Sequence, residues 1–256
     1  MNNLQTLLLD KRDLLYNNFL KGLGIEFMTE IIAVFDLEGT LCQSGRLIWR
    51  ELIDSCSQRP GGKITASKHI LHQLSVSYLL KLKLMQEYKS RLLSIRSMAS
   101  LLRGFTREEL SKVAQAISQI VMDTLRTDIA SILNDHKKKG HIVILTSNLF
   151  QPLLESVGQR LGVQATVGTG LEMKNSRYTG QLSTVVCFDE QRASMLKEHF
   201  RENNIEVDFE QSYAYGDLKW DRPVLEMVGN PVAVYPDEVL RAHAQSRGWQ
   251  IIGSRA

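Results

Sequence analysis

Apolar residues are distributed along this chain in two patterns. Short continuous runs occur at 31–35 (IIAVF), 141–145 (HIVIL), 163–167 (VQATV), 212–215 (SYAY) and 231–235 (PVAVY). They are rich in β-branched residues and lack polar alternation, which predicts strands covered on both faces, as in a parallel sheet. Between them, apolar positions recur at helical spacing. Residues 128–139 end in Lys137, Lys138 and Lys139 ahead of Gly140, a cationic last turn followed by a glycine stop. Residues 189–203 open on Asp189, a residue type that caps helix N-termini, and 236–247 open on Pro236 and Asp237. Strand and helix in this alternation predict an α/β protein with a Rossmann-like, doubly wound parallel sheet.

One region departs from the alternation. From 44 to 127 no strand pattern occurs; a long helical pattern covers 66–103, and Thr106 with Glu109 forms a capping-box signature for a further helix. The predicted organisation is therefore a core of 31–43 plus 128–256, interrupted by an all-helical insertion at 44–127. The loop QRPGGK (58–63) is the one clear flexible segment. Residues 1–30 form an N-terminal extension. In it Leu7, Leu8, Leu14, Leu15 and Phe19 predict a short amphipathic helix, and Met28 stands as an alternative start. The extension is not a secretory signal, because its start is not basic and Asp10, Lys11, Arg12 and Asp13 interrupt the apolar stretch.

With 256 residues, 43% apolar and 23% charged, the chain has the composition of an ordinary globular protein. Its net charge of +3 is unevenly spread: residues 63–107 hold nine Lys or Arg against a single acid, Glu87. That segment carries +8, which leaves −5 for the remainder. The basic insertion is either a solvated helix face, or one that guides anionic substrates or rests weakly on acidic lipid headgroups. It has few aromatics for base stacking, so nucleic acid is not an expected partner. The cysteines, Cys42, Cys56 and Cys187, are odd in number and form no C-x-x-C. They argue against a disulfide framework or zinc site and for reduced thiols in the cytoplasm. His69 and His72 in the insertion read as a solvated pair. No apolar run approaches the roughly 18 residues of a membrane span.

The chemistry collects behind the predicted strands, where open α/β sheets bind their ligands. Asp36 and Glu38 follow the first strand, and Thr146, Ser147 and Asn148 follow the second. Gly216-Asp217-Leu218-Lys219-Trp220-Asp221 follows the fourth, and Arg192 lies near the start of the helix before it. Carboxylates with other oxygen donors suit Mg²⁺; a hydroxyl and a guanidinium suit phosphate oxygens. Taken singly, each group has a plainer reading as a turn residue, a helix cap or a surface charge, and Trp220 as a packing residue.

Taken together, DLEGTL (36–41), LTSN (145–148) and GDLKWDRPVLEMVGNPVAVYPD (216–237) resemble the haloacid dehalogenase superfamily. Its phosphoserine-phosphatase-like branch, with a helical cap after the first motif, is the more specific likeness. This resemblance implies a Mg²⁺-dependent phosphatase acting on a small phosphorylated metabolite. Asp36 would be the nucleophile that forms an aspartyl-phosphate, and Glu38 the proton shuttle. Ser147, Asn148 and Arg192 would bind the substrate phosphate. Asp36, Glu38 through its backbone carbonyl, Asp217 and Asp221 would form the metal site, Asp221 as ligand or support.

Two positions depart from the family pattern. Aspartate is usual where Glu38 stands, and an extra methylene moves the carboxyl by roughly an ångström, enough to cost on the order of 10²-fold in rate. Lysine is usual where Arg192 stands; arginine keeps the charge but not the geometry. Two alternatives stay open at this point: a catalytically weakened phosphate-binding module, and a phosphotransferase that uses an alcohol in place of water.

Overall fold

All five expected strand segments form strands. The computed structural model describes residues 29–43 and 45–255. The amphipathic helix expected near the N-terminus and the alternative start at Met28 lie outside the described residues. After β1 (Ile32–Asp36) come α1 (Gly45–Ser57), α2 (Gly62–Lys81), α3 (Glu87–Leu101), α4 (Arg107–Asp123) and α5 (Thr127–Lys138). The core then continues through β2 (Ile142–Phe150), α6 (Gln151–Leu161), β3 (Ala165–Thr169), β4 (Leu171–Lys174), β5 (Arg177–Leu182) and α7 (Glu190–Glu202). It ends with β6 (Tyr213–Gly216), α8 (Arg222–Leu225), β7 (Asn230–Val234), α9 (Glu238–Arg247) and β8 (Gln250–Ile252).

Six strands make one sheet in the order β3-β2-β1-β6-β7-β8, and every pairing in it is parallel. The chain winds outward from β1 in one direction through β2 and β3, and in the other through β6, β7 and β8. The carboxyl end of β1 therefore lies at the topological switch point, where such sheets open a crevice. Alternate side chains of β1 enter separate cores. Ala33 and Phe35 pack with α4 and α6 residues such as Ile117 and Leu154, whereas Ile32 and Val34 pack with Leu196 of α7 and Leu240 of α9. Burial on both faces explains why these strands lack polar alternation, and each such large side chain contributes about 1.5–3 kcal/mol.

The helical insertion is continuous with this core. Leu52 of α1, Ile95 of α3 and Ile117 of α4 share one apolar cluster with Phe35 and Leu145, and Ser118 donates to Ser156 of α6 at 2.8 Å. The capping box at the head of α4 forms as expected, with Glu109 N–H donating to Thr106 Oγ1 at 3.2 Å and Thr106 N–H donating to Glu109 Oε2 at 2.7 Å.

Several local expectations are corrected. The pattern over 66–103 is two helices, because the chain turns at 82–86 with Lys83 at a φ of +57°. β2 runs on through Thr146, Ser147 and Asn148 to Phe150, with its pairing to β3 irregular there, so those residues belong to a distorted strand end. Asp189 precedes α7 but makes no capping hydrogen bond; its φ is +54°. His69 is buried, with Nδ1 at 2.8 Å from Ser97 Oγ, so it belongs to the packing between α2 and α3 and not to solvent. Among the described residues, no helix is long and apolar enough to cross a membrane.

Candidate active site

Asp36 is the last residue of β1, and the chain turns immediately after it. Leu41 and Cys42 N–H both donate to Leu37 O at 3.0 Å, and Gly39 N–H donates to Cys42 O at 2.8 Å. Gly39 sits at a φ of +97°, and a Cβ built on it would fall 2.1 Å from Asp217 Oδ2. Only glycine lets this turn approach the end of β6 so closely. Asp217 is thereby held beside Asp36, and Thr40 Oγ1 donates to its Oδ1 at 3.4 Å.

Arg192 reaches this group from the first turn of α7. Its Nη1 donates to Asp36 Oδ1 at 2.9 Å and to Asp221 Oδ1 at 2.5 Å. The other oxygen of Asp221 accepts the backbone N–H groups of Asp217 and Leu218, at 2.9 and 2.8 Å. Asp221 thus ties the loop after β6 to the guanidinium. Four charged side chains from two strand ends and one helix meet here, and all four are buried.

Beside them lies a small cavity of about 40 Å³, bordered by Glu38, Ser147, Asn148, Phe188 and Trp220 as well as Asp36, Arg192 and Asp221. Ser147 Oγ accepts Leu149 N–H at 3.0 Å, which fixes the hydroxyl at the distorted end of β2. Three buried atoms at this cavity have no hydrogen-bond partner: Glu38 Oε1, Asn148 Oδ1 and Arg192 Nε. Orphaned buried polar atoms are costly, and three at one place mark a site shaped for something else to bind. A larger cleft of about 1010 Å³ between α4, α6 and the β4–β5 hairpin includes none of these residues.

Electrostatics point the same way. Burial, reinforced by Asp221, lifts the Asp36 pKa well above the usual carboxylate value despite Arg192 beside it. Burial and Asp221 push Asp217 up to about 8. Burial takes Glu38 to about 7, against the opposing pull of Arg192, a hydrogen bond from Trp49, and Arg91. Burial works against the Arg192 charge, yet Asp36 and Asp221 outweigh it and raise its pKa. Asp36, Asp217 and Asp221 offer oxygen atoms that all lie within 4.8 Å of one another. Crowded buried carboxylates of this kind fit a hard divalent cation, whose charge offsets their mutual repulsion.

Every residue expected at the site is therefore brought to it. Five others were not singled out from sequence. Gly39 and Thr40 hold Asp217, and Trp49 hydrogen-bonds Glu38. Arg91 of α3 borders the small cavity, its guanidinium 5.7 Å from the Phe188 ring centroid. Arg255, beyond β8, forms an ion pair with Asp217 and donates through Nε to Tyr235 O at 2.8 Å. Of the five, only Gly39 carried a local signal, as a glycine directly after the paired acids.

The family model of haloacid dehalogenase-like hydrolases matches residues 33–226. The chain belongs to this family. The "Inhibition of morphological differentiation protein" of Streptomyces azureus is 28% identical over 157 residues, 60% of this chain and 56% of that one. Phosphoserine phosphatase SerB1 of Mycobacterium tuberculosis is 27% identical over 158 residues, 61% of this chain and 50% of its own length. The chain spans about half the length of the curated relatives it matches. Among solved structures, a Bordetella pertussis Tohama I protein of unknown function shares the fold. Its TM-score is 0.73 at 22% identity, covering 88% of this chain and 99% of that one. Within the family, the likeness is to the phosphoserine-phosphatase-like branch.

Proposed function

We propose that this site hydrolyses a phosphomonoester through an aspartyl-phosphate, with Mg²⁺ as cofactor. One observation carries the reading: Asp36, Asp217 and Asp221 are buried within 4.8 Å of one another, with Arg192 clamped between Asp36 and Asp221. Asp36, the Glu38 backbone carbonyl and Asp217 would hold the metal, with Asp221 as ligand or support. When bound, Mg²⁺ supplies charge neutralisation that allows an anionic nucleophile to approach a phosphate dianion. Asp36 attacks phosphorus, and the bond from phosphorus to the ester oxygen breaks. Glu38 gives its proton to that leaving oxygen, then takes one from the water that cleaves the acyl-phosphate. An alcohol and inorganic phosphate are the products, and Asp36 is restored. Ser147, Asn148 and Arg192 orient the phosphoryl group, Ser147 and Arg192 as hydrogen-bond donors.

The helices at 44–127 would act as the cap that shapes the leaving-group side of the pocket. Being basic and carrying exposed apolar side chains, this insertion also supports a weak contact with anionic lipid surfaces. A cytoplasmic location accords with the odd number of cysteines and the lack of any C-x-x-C in the sequence.

The test is phosphate release from p-nitrophenyl phosphate and a panel of phosphorylated metabolites, with Mg²⁺ or with chelator. Mg²⁺-dependent release that falls at least about 10³-fold in Asp36→Asn is the expected result. Glu38, longer than its aspartate counterpart and tied to Trp49, favours a second reading, a phosphate-binding module with slowed turnover. Faster turnover in Glu38→Asp would support that reading. Phosphoryl transfer to an added alcohol in preference to water would mark a phosphotransferase.

A further inference from the structure

We propose that the substrate is the phosphomonoester of an amphiphile, its apolar chain lying in a cavity between α1, α2 and α3. This rests on the phosphatase reading and names the kind of leaving group the site takes. The cavity measures about 590 Å³, within the range of about 300–1,000 Å³ usual for ligand pockets. Its walls are mainly apolar, supplied by Trp49 and Ile53 of α1, Ile70 and Leu74 of α2, and Ile95 and Met98 of α3. Asn148 and Arg91 border both this cavity and the small one beside Asp36, so the two meet at those residues. Asn148, whose buried Oδ1 is one of the orphaned atoms, is a residue of that junction.

Charge narrows the ligand further. Arg46, Arg50 and Arg91 border the cavity, and no carboxylate does so among the described residues. Arg50 pairs with Asp54 at 3.5 Å and Arg91 with Glu87 at 3.9 Å, but neither carboxylate lines the cavity, so an ammonium group on the leaving alcohol would meet the cations first, which disfavours an amino-acid ester. A small polar alcohol would leave the apolar walls in water. An alkyl or prenyl chain covers them, while the arginines suit the phosphate end. The mouth of the cavity supports the same conclusion. Ile70 and Leu74 are 46% and 62% exposed, and Ile64, Leu71, Tyr78 and Leu82 continue an apolar stripe along α2 and just beyond it. Lys63, Lys68, Lys81 and Lys83 accompany the stripe. A contiguous exposed apolar surface of this kind marks a place where apolar ligand or lipid enters.

The experiment is calorimetric binding of non-hydrolysable n-alkylphosphonates, ethyl to decyl, to the full chain with Mg²⁺, below micelle-forming concentrations. Phosphate release from the matching alkyl phosphates is measured alongside. Affinity should rise about two- to fourfold per methylene until the cavity is filled. Leu74→Glu, at the exposed rim, should narrow the decyl-to-ethyl affinity ratio by roughly tenfold, as expected for a charge facing an apolar chain. Affinity independent of chain length would overturn the proposal, and ethyl phosphate hydrolysis alongside it would leave the phosphatase reading intact. A steep chain-length dependence without phosphate release from any ester would uphold the ligand class and refute the phosphatase reading.

Discussion

Gly39 and Asp217 nearly touch, and the order of the site depends on that approach. Gly39→Ala forces a side chain into a left-handed backbone and drives Asp217 away from Asp36. The expected loss is about 1–3 kcal/mol of stability from the backbone alone. Mg²⁺ affinity should also fall, read by chemical denaturation and by calorimetry respectively. Arg255 is the opposite case. Its guanidinium sits on an Asp217 oxygen that a metal would use, so cation and dication compete for one carboxylate. Arg255→Gln should tighten Mg²⁺ binding several-fold in a titration, and unchanged or weaker binding would contradict that competition. At this scale the sequence carried the charged group but not its supports. Asp36, Glu38, Ser147, Arg192, Asp217 and Asp221 were legible because each stands at a strand or helix end, and the resemblance to the haloacid dehalogenase superfamily supplied their expected roles. Arg255, Trp49 and Arg91 were not, because their places depend on how β8, α1 and α3 pack.

Elements followed the sequence where burial decides them, and departed where turns decide them. The central strands are covered on both faces, so their apolar runs are unbroken and easily read. The β4–β5 hairpin was missed, although Asn175 and Ser176, at φ of +50° and +60°, form the left-handed turn that an Asn-Ser pair can announce. The break between α2 and α3 was missed because apolar residues continue across it. One element interface has a consequence for pH. Burial, with His141 and Lys139 nearby, lowers the His136 pKa to about 4. Its Nε2 lies 2.8 Å from the Tyr215 hydroxyl and its Nδ1 2.8 Å from His141 Nδ1, pinning α5 to the sheet. The unfolded chain, with an ordinary histidine pKa near 6.5, binds the proton first as pH falls. Stability is therefore present above about 6.5 and is lost between there and about pH 4. Denaturation at pH 7 and pH 5 should differ by on the order of 2 kcal/mol from this residue, and by much less in His136→Gln.

At the scale of the whole molecule, the topology explains why residues separated by up to 185 positions in the chain meet, as Asp36 and Asp221 do. Winding outward from β1 in both directions places the ends of β1, β2 and β6 side by side, and α7 brings its arginine to the same edge. The alternation of apolar runs was enough to predict a parallel sheet and five of its six strands, β8 being missed, and the ends of those strands pointed to the meeting place. What the alternation did not contain was the shape of the helical insertion, whose walls are set by packing among α1, α2 and α3. The central claim is that Asp36 becomes covalently phosphorylated. In Glu38→Gln, p-nitrophenolate leaves without needing a proton while the water step is slowed, so the intermediate accumulates. Acid-quenched Glu38→Gln, incubated with p-nitrophenyl phosphate and Mg²⁺, should carry one phosphoryl group on the peptide containing Asp36 by mass spectrometry. Turnover with no label on that peptide, or with the label on Ser147, would contradict the account.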